Sequence, residues 1–272
     1  MERMNRRWNS LSAEHVQKLF DETPPEQYSH GGLEGPYKPA YSDALCGRTY
    51  TLKSAEHEVT LHFDDINTVT WSEDGQSGTD FCAVHEAEAD LFFIHYAMKH
   101  TSPPRFNTIV MDFKTGLFTQ ICAAIGNGTE AREVCRTFHF GKIAGCENDA
   151  YPLHGFTADL VGKAIYWTYN DRMPPLKHIY SSELYYSYAM TMGERCWMAS
   201  NPCDFVKIND HEYIFTFLEE RQTGVQGVFL INTETMHDVG CFSGIPSDDK
   251  FESYTVGAIG EWTTMDTHFI QK

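Results

Sequence analysis

Gly162–Tyr169 (GKAIYWTY) decides the reading of this chain, because Gly47–Leu52 (GRTYTL) repeats its pattern in the first half. Each copy opens on a Leu, one spacer residue, a Gly and a base: Leu45-Cys46-Gly47-Arg48, then Leu160-Val161-Gly162-Lys163. Each then runs into a β-prone segment. Two copies of one strand-rich unit predict a duplicated β-barrel, an architecture suited to enclosing a small molecule.

Working outward, short apolar or alternating runs separated by turn residues continue in both directions. In the first half they are Val59–Phe63, Thr68–Trp71, Phe81–Val84, Leu91–Met98, Thr108–Phe113 and Leu117–Ala123; Glu130–Phe138 reads equally as helix or strand. In the second half they are Ala164–Tyr169, Lys177–Tyr180, Tyr185–Met190, Cys196–Met198, Phe205–Ile208, Tyr213–Leu218, Gly227–Ile231 and Met236–Cys241. The repeat extends further, with Asp80-Phe81 matching Asp204-Phe205, Leu91–Ala97 matching Tyr213–Glu219, and Ile109–Met111 matching Val228–Leu230. That alignment sets Ala97 where the second half carries Glu219. No helix long enough for a βαβ crossover separates the strands, so the sheets are expected to be antiparallel.

Ahead of the first unit, Ser12–Glu22 predicts a short helix, with Ser12 as its cap and Val16, Leu19 and Phe20 on one face. Residues 24–42 are rich in Pro, Gly and Tyr and read as an extended arm that closes a barrel mouth or packs on a wall. The expected organisation is an N-terminal helix and arm over 1–42, a first barrel over 43–145 and a second over 155–265. Residues 141–157 form the linker.

The chain has 272 residues, a 42% hydrophobic fraction and a 14% aromatic fraction, enough for real cores and aromatic-lined pockets. Its formal net charge of −17 repels phosphate backbones and anionic membrane surfaces, so neither nucleic acid nor membrane is an expected partner. The eight cysteines form no CxxC pair and suit free thiols in a reducing compartment. No apolar run follows Met1–Arg7, so no signal peptide is expected, and the location expected is cytoplasmic.

Leu160–Lys163, Tyr166–Tyr169, His178-Ile179-Tyr180 and Tyr185-Tyr186 resemble the MoaF family, and the resemblance extends from about Asp43 to Trp262. It implies an all-β chain of two tandem calycin-like (lipocalin-like) antiparallel barrels. The second half is similar, more distantly, to phenolic acid decarboxylases, which are single cofactor-free barrels. Their opening strand has Gly-Lys and then Tyr-Thr-Tyr, against Gly162-Lys163 and then Trp167-Thr168-Tyr169 here. Their Glu falls on Glu219, ahead of Thr223-Gly224. Their carboxylate-holding Arg falls on Ala189, and their first Tyr on Trp167. The likeness therefore implies an acid–base barrel pocket without carrying over decarboxylation.

Strand alternation places Trp167 with Tyr169, Phe215 with Phe217 and Glu219, His178 with Tyr180, and Tyr185 with Ser187 and Ala189. If these faces point inward, Glu219 is the expected acid or base, Tyr169 the oxyanion contact and His178 the proton shuttle. Trp167, Tyr180, Tyr185, Tyr186, Tyr188, Phe217 and Arg221 are the expected ligand contacts. Taken singly, each aromatic residue reads first as ordinary core, and it is the set that points to a pocket. In the first barrel His62, Trp71, His95 and Arg105 are candidates for a lesser pocket, in a half read as structural or lid-like.

No HxH, HExxH, GxGxxG, Walker or GxSxG pattern occurs, and His57 and His62 fall on opposite strand faces, so neither a metal nor a cofactor is expected. The expected function is a cofactor-independent lyase, isomerase or cyclase acting on an aromatic or unsaturated secondary metabolite. The alternatives are a carrier of a small hydrophobic or aromatic ligand, or a filled barrel that docks a partner. A homodimer is compatible with each.

Overall fold

The computed structural model describes residues 12–24, 32–99, 101, 105–125, 134–192, 195–219, 224–246 and 250–266. Among them the chain is all-β apart from one helix, α1 (Ala13–Glu22). Ser12 caps α1 by accepting from the His15 N–H at 3.1 Å. Val16 and Phe20 of α1 are buried, with the Phe20 ring 5.2 Å from Phe106 and 4.5 Å from Phe251. No helix among the described residues is long and apolar enough to cross a membrane.

The first barrel comprises β1 (Thr49–Ser54), β2 (Glu58–Asp65), β3 (Thr68–Glu73), β4 (Gln76–Glu88), β5 (Leu91–Met98), β6 (Arg105–Asp112), β7 (Leu117–Ile125) and β8 (Val134–Ile143). Each strand pairs antiparallel with the next, and β8 closes on β1. The ambiguous segment before Phe138 is therefore strand from Val134; residues 130–133 lie outside the described residues.

A short β9 (Gly155–Phe156) leads into the second barrel: β10 (Ala164–Thr168), β11 (Leu176–Ile179), β12 (Tyr185–Met192), β13 (Arg195–Lys207), β14 (Glu212–Leu218), β15 (Val225–Asn232), β16 (His237–Gly244) and β17 (Glu252–Thr263). Here β10 pairs with β17 and β12 with β13, which closes a second eight-stranded ring, and β9 adds to β13 outside it.

Three sequence readings are corrected. Cys196–Met198 and Phe205–Lys207 belong to one continuous strand, β13, with Ile208 just past its end. The Asn201-Pro202 step that split them lies where β13 pairs only with β12, because pairing to β14 begins at Cys203. Proline removes no ladder bond at such an edge. β17 carries no clear strand signal in the sequence, since Gly257 and Gly260 interrupt its pattern. A Cβ at Gly257 would come within 2.6 Å of the Lys38 backbone, and one at Gly260 within 2.7 Å of the Trp167 ring, so these glycines serve close approach rather than a turn.

The third correction is the register of the repeat. Phe92, Ile94, Tyr96 and Met98 face the first lumen, and Tyr213, Phe215 and Phe217 face the second. The internal match is therefore shifted by one residue, and the counterpart of Glu219 is Met98, not Ala97. With a side-chain period of two, that slip exchanges every inward residue for an outward one.

The barrels pack wall to wall. Leu91, Phe93, Val110 and Ile121 of the first meet Ile214, Val228, Leu230 and Val239 of the second. β5 and β15, covered on both sides, are buried along their whole length. Two histidines cross this interface: His85 Nε2 lies 2.9 Å from Thr255 Oγ1, and His95 Nε2 lies 3.1 Å from Ser253 Oγ. Cys46, Cys82, Cys122, Cys135, Cys146, Cys203 and Cys241 are free thiols.

Candidate functional site

The second lumen is packed at one end and hollow at the other. In the packed part, Trp167 and Tyr180 are wholly buried, with the indole N–H 3.4 Å from Tyr180 Oη. Inward glycines make room for large rings there: a Cβ at Gly240 would stand 2.2 Å from the Phe229 ring, and one at Gly227 2.5 Å from that of Phe217. Above them is a cavity of about 430 Å³, within the range of small-molecule sites.

All eight strands of the ring contribute to its wall, directly or through the residue just past a strand end. Tyr169 follows β10, His178 comes from β11, Tyr186, Tyr188 and Met190 from β12, Trp197 from β13, and Phe217 from β14 with Glu219 just beyond. Phe229, Phe242, Glu252 and Tyr254 complete the circle. The arm supplies Leu33, so it helps to close the barrel. It is fastened by Asn170, whose amide donates to the carbonyls of Gly32 (3.2 Å) and Glu34 (2.9 Å). Gly35 lies so close to the Tyr169 carbonyl that a Cβ there would stand 1.7 Å from it.

Of the residues expected from sequence, Tyr169, His178, Glu219, Tyr186, Tyr188 and Phe217 come together on this cavity. Trp167 and Tyr180 share its lumen but lie in the packed part and do not line it. Tyr185 is 51% exposed and points outward with Ser187 and Ala189, because the inward face of β12 carries Tyr186, Tyr188 and Met190. Arg221 lies outside the described residues.

Sequence reasoning missed Leu33, Trp197, Glu252, Tyr254 and Asp238. Asp238 had a legible signal: it is an acid at the inward parity of an apolar strand, two residues before Gly240 and four before Phe242. Leu33 had none, since an irregular arm carries no periodicity.

The electrostatics follow from burial. His178 sits among the rings of Tyr180, Tyr186 and Phe215 at 5.2–6.2 Å. Burial lowers its pKa to about 3, and its Nδ1 has no hydrogen-bond partner. Tyr186 is pushed well above the usual phenol range by burial first and by the nearby Glu219 charge second. Asn201 joins these two, its amide donating to Tyr186 Oη at 3.3 Å and Glu219 Oε2 at 3.5 Å. Tyr169 is likewise raised, by burial and then by Asp238.

The first barrel does not assemble its four candidates. His62 is on the outer wall beside Thr49 Oγ1 (2.8 Å), His95 is in the inter-barrel interface, Trp71 is core, and Arg105 belongs to a polar cluster. Trp71 and Arg105 both face the first lumen, Trp71 in its apolar core and Arg105 in the polar cluster, whereas His62 and His95 point out of it, so the four do not converge on one pocket. That cluster centres on buried Glu73, which accepts from Arg105 (3.3 Å), Asn107 (3.0 Å) and Gln120 (3.3 Å). His57, Glu73 and Asp74 bring ligand-type atoms within 4.8 Å of one another, a grouping that sequence spacing does not reveal. The donors already engaging Glu73, a guanidinium among them, fit an ion network better than a cation site.

Residues 31–127 match the family model of the MoaF N-terminal domain, and residues 154–265 match that of the MoaF C-terminal domain. Together they span well over half of the chain. No curated protein matches it.

Proposed function

The chain belongs to the MoaF family, and on that footing we propose that its second barrel is a cofactor-independent enzyme performing acid–base chemistry on an aromatic or unsaturated metabolite. The reaction class is lyase, isomerase or cyclase. The observation that carries this reading is the convergence of Glu219, His178 and Tyr169 on one aromatic-walled cavity of about 430 Å³. Aromatic walls hold a flat ligand by stacking and exclude water, which strengthens each polar contact inside.

Glu219 is the proton-transferring group, partly open at the mouth and oriented by Asn201. Tyr169 contacts a ligand oxygen. His178, neutral at physiological pH in the ligand-free protein, acts as an uncharged hydrogen-bonding ring rather than as an imidazolium acid, the role a buried imidazole fills elsewhere. Phe217, Tyr186 and Tyr188 stack on the ligand.

The test begins with mass-spectrometric identification of a small molecule that copurifies with the full-length protein. With that ligand, Glu219→Gln is expected to lower turnover by a factor of about 10²–10⁴, the usual worth of a general acid or base, while Kd changes little. Undiminished turnover removes Glu219 from the mechanism. A tightly bound ligand recovered chemically unchanged favours the second reading, a lipocalin-like carrier, which the apolar majority of the wall also supports.

A further inference from the structure

Beneath the cavity, Asp238 is a carboxyl with no established task. It is 2% exposed and lies on the inward face of β16. Its Oδ1 accepts from the Ala258 N–H at 2.7 Å, and in the ligand-free protein its Oδ2 accepts from the Tyr169 O–H at 3.5 Å. Tyr169 is on the cavity wall, so the pair forms a two-residue chain from the lumen floor to the ligand space. Its phenol–carboxyl contact is at the long end of hydrogen bonding, as such contacts often are before a ligand tightens them.

We infer that Asp238 is a positioning residue: when a ligand binds, the contact reverses, the protonated Asp238 carboxyl donating to the Tyr169 oxygen and so directing the Tyr169 O–H into the cavity, toward a carbonyl or phenol oxygen of an uncharged aromatic ligand. This rests on the reading of the cavity as a ligand site and adds to it the polar end of the ligand. A carboxylate in the same place would act oppositely, taking the phenol proton for itself and leaving the ligand oxygen without a donor. Burial raises the Asp238 carboxyl well above its usual range, which favours the protonated, donating form. A carboxylic acid kept neutral by apolar surroundings is a known way of supplying a donor to an oxyanion site.

The geometry also explains the choice of side chain. An apolar residue at 238 would fill the space but leave the Tyr169 oxygen unsupported and its O–H undirected. Asparagine keeps both functions, an acceptor for Ala258 N–H and a donor for Tyr169. The two substitutions therefore separate hydrogen-bond donation from charge.

The experiment measures binding of 2-acetylnaphthalene and of 2-ethylnaphthalene, which match in shape and differ in the carbonyl oxygen, by tryptophan fluorescence and calorimetry on the full chain. The wild type is expected to prefer the ketone by about tenfold, the worth of one to two well-formed hydrogen bonds. Tyr169→Phe and Asp238→Leu should abolish that preference while leaving the hydrocarbon's Kd within about twofold, and Asp238→Asn should keep it. Circular dichroism on each variant verifies folding, and Tyr169→Phe, which keeps the ring, tests the idea even if Asp238→Leu fails to fold. Loss of preference in Asp238→Asn, or its persistence in Tyr169→Phe, overturns the dyad while leaving the cavity reading intact. If neither probe binds the wild type, the cavity reading fails and the dyad with it.

Discussion

At the scale of single residues, the site was legible where alternation and chemistry coincided. Glu219 ends an aromatic strand at the parity of Phe215 and Phe217, and His178 shares a parity with Tyr180, so one inward assumption placed both. Tyr185 failed for the same reason Tyr186 succeeded: two adjacent tyrosines occupy opposite faces, and nothing local says which is the lumen. His178 also supplies a direct test of burial. In an NMR titration of the ligand-free protein its ring is expected to stay neutral down to about pH 4, since its pKa is lowered to about 3 by loss of solvation. A midpoint near pH 6.5 would mean that water reaches the ring and that the cavity is more open than described.

At the scale of elements, the strands were read more reliably than their faces. β5 matches Leu91–Met98 residue for residue, yet its alignment to β14 was one position out, because two-sided burial removes the polar alternation that marks a face. The arm is the element with the most direct bearing on the site. Its glycine-rich entry reads as loop, while its packing makes Gly35 a contact point on the Tyr169 backbone. Gly35→Val is expected to lift the arm from the mouth, at a cost of about 1–3 kcal/mol from overpacking. Ligand dissociation should quicken, and new proteolytic cleavage should appear in residues 32–42. Unchanged dissociation kinetics would show that the arm does not close the cavity.

At the scale of the whole molecule, the interface between barrels couples stability to pH. His85 and His95 are neutral in the fold, their pKa values lowered to about 4 and about 3, mainly by burial. The unfolded chain titrates near 6.5 and so binds more protons than the fold below that pH. The stabilisation is complete above pH 6.5 and is lost progressively as the pH falls toward 4, by about 2 kcal/mol per histidine at pH 5. Urea denaturation at pH 7.5 and pH 5 should show this loss, and His85→Gln with His95→Gln should reduce it; equal stability at both pH values would place these rings in water. By itself the sequence determined the class of the fold, its duplication and most of the residues around the second lumen, because period-two patterning and turn chemistry act over a few neighbouring positions. Only the tertiary structure decided which face of each strand is interior, that Asp238 stands under Tyr169, and that the arm returns to the mouth. Those facts depend on ring closure and wall-to-wall packing, which join residues far apart in the chain and leave no local trace.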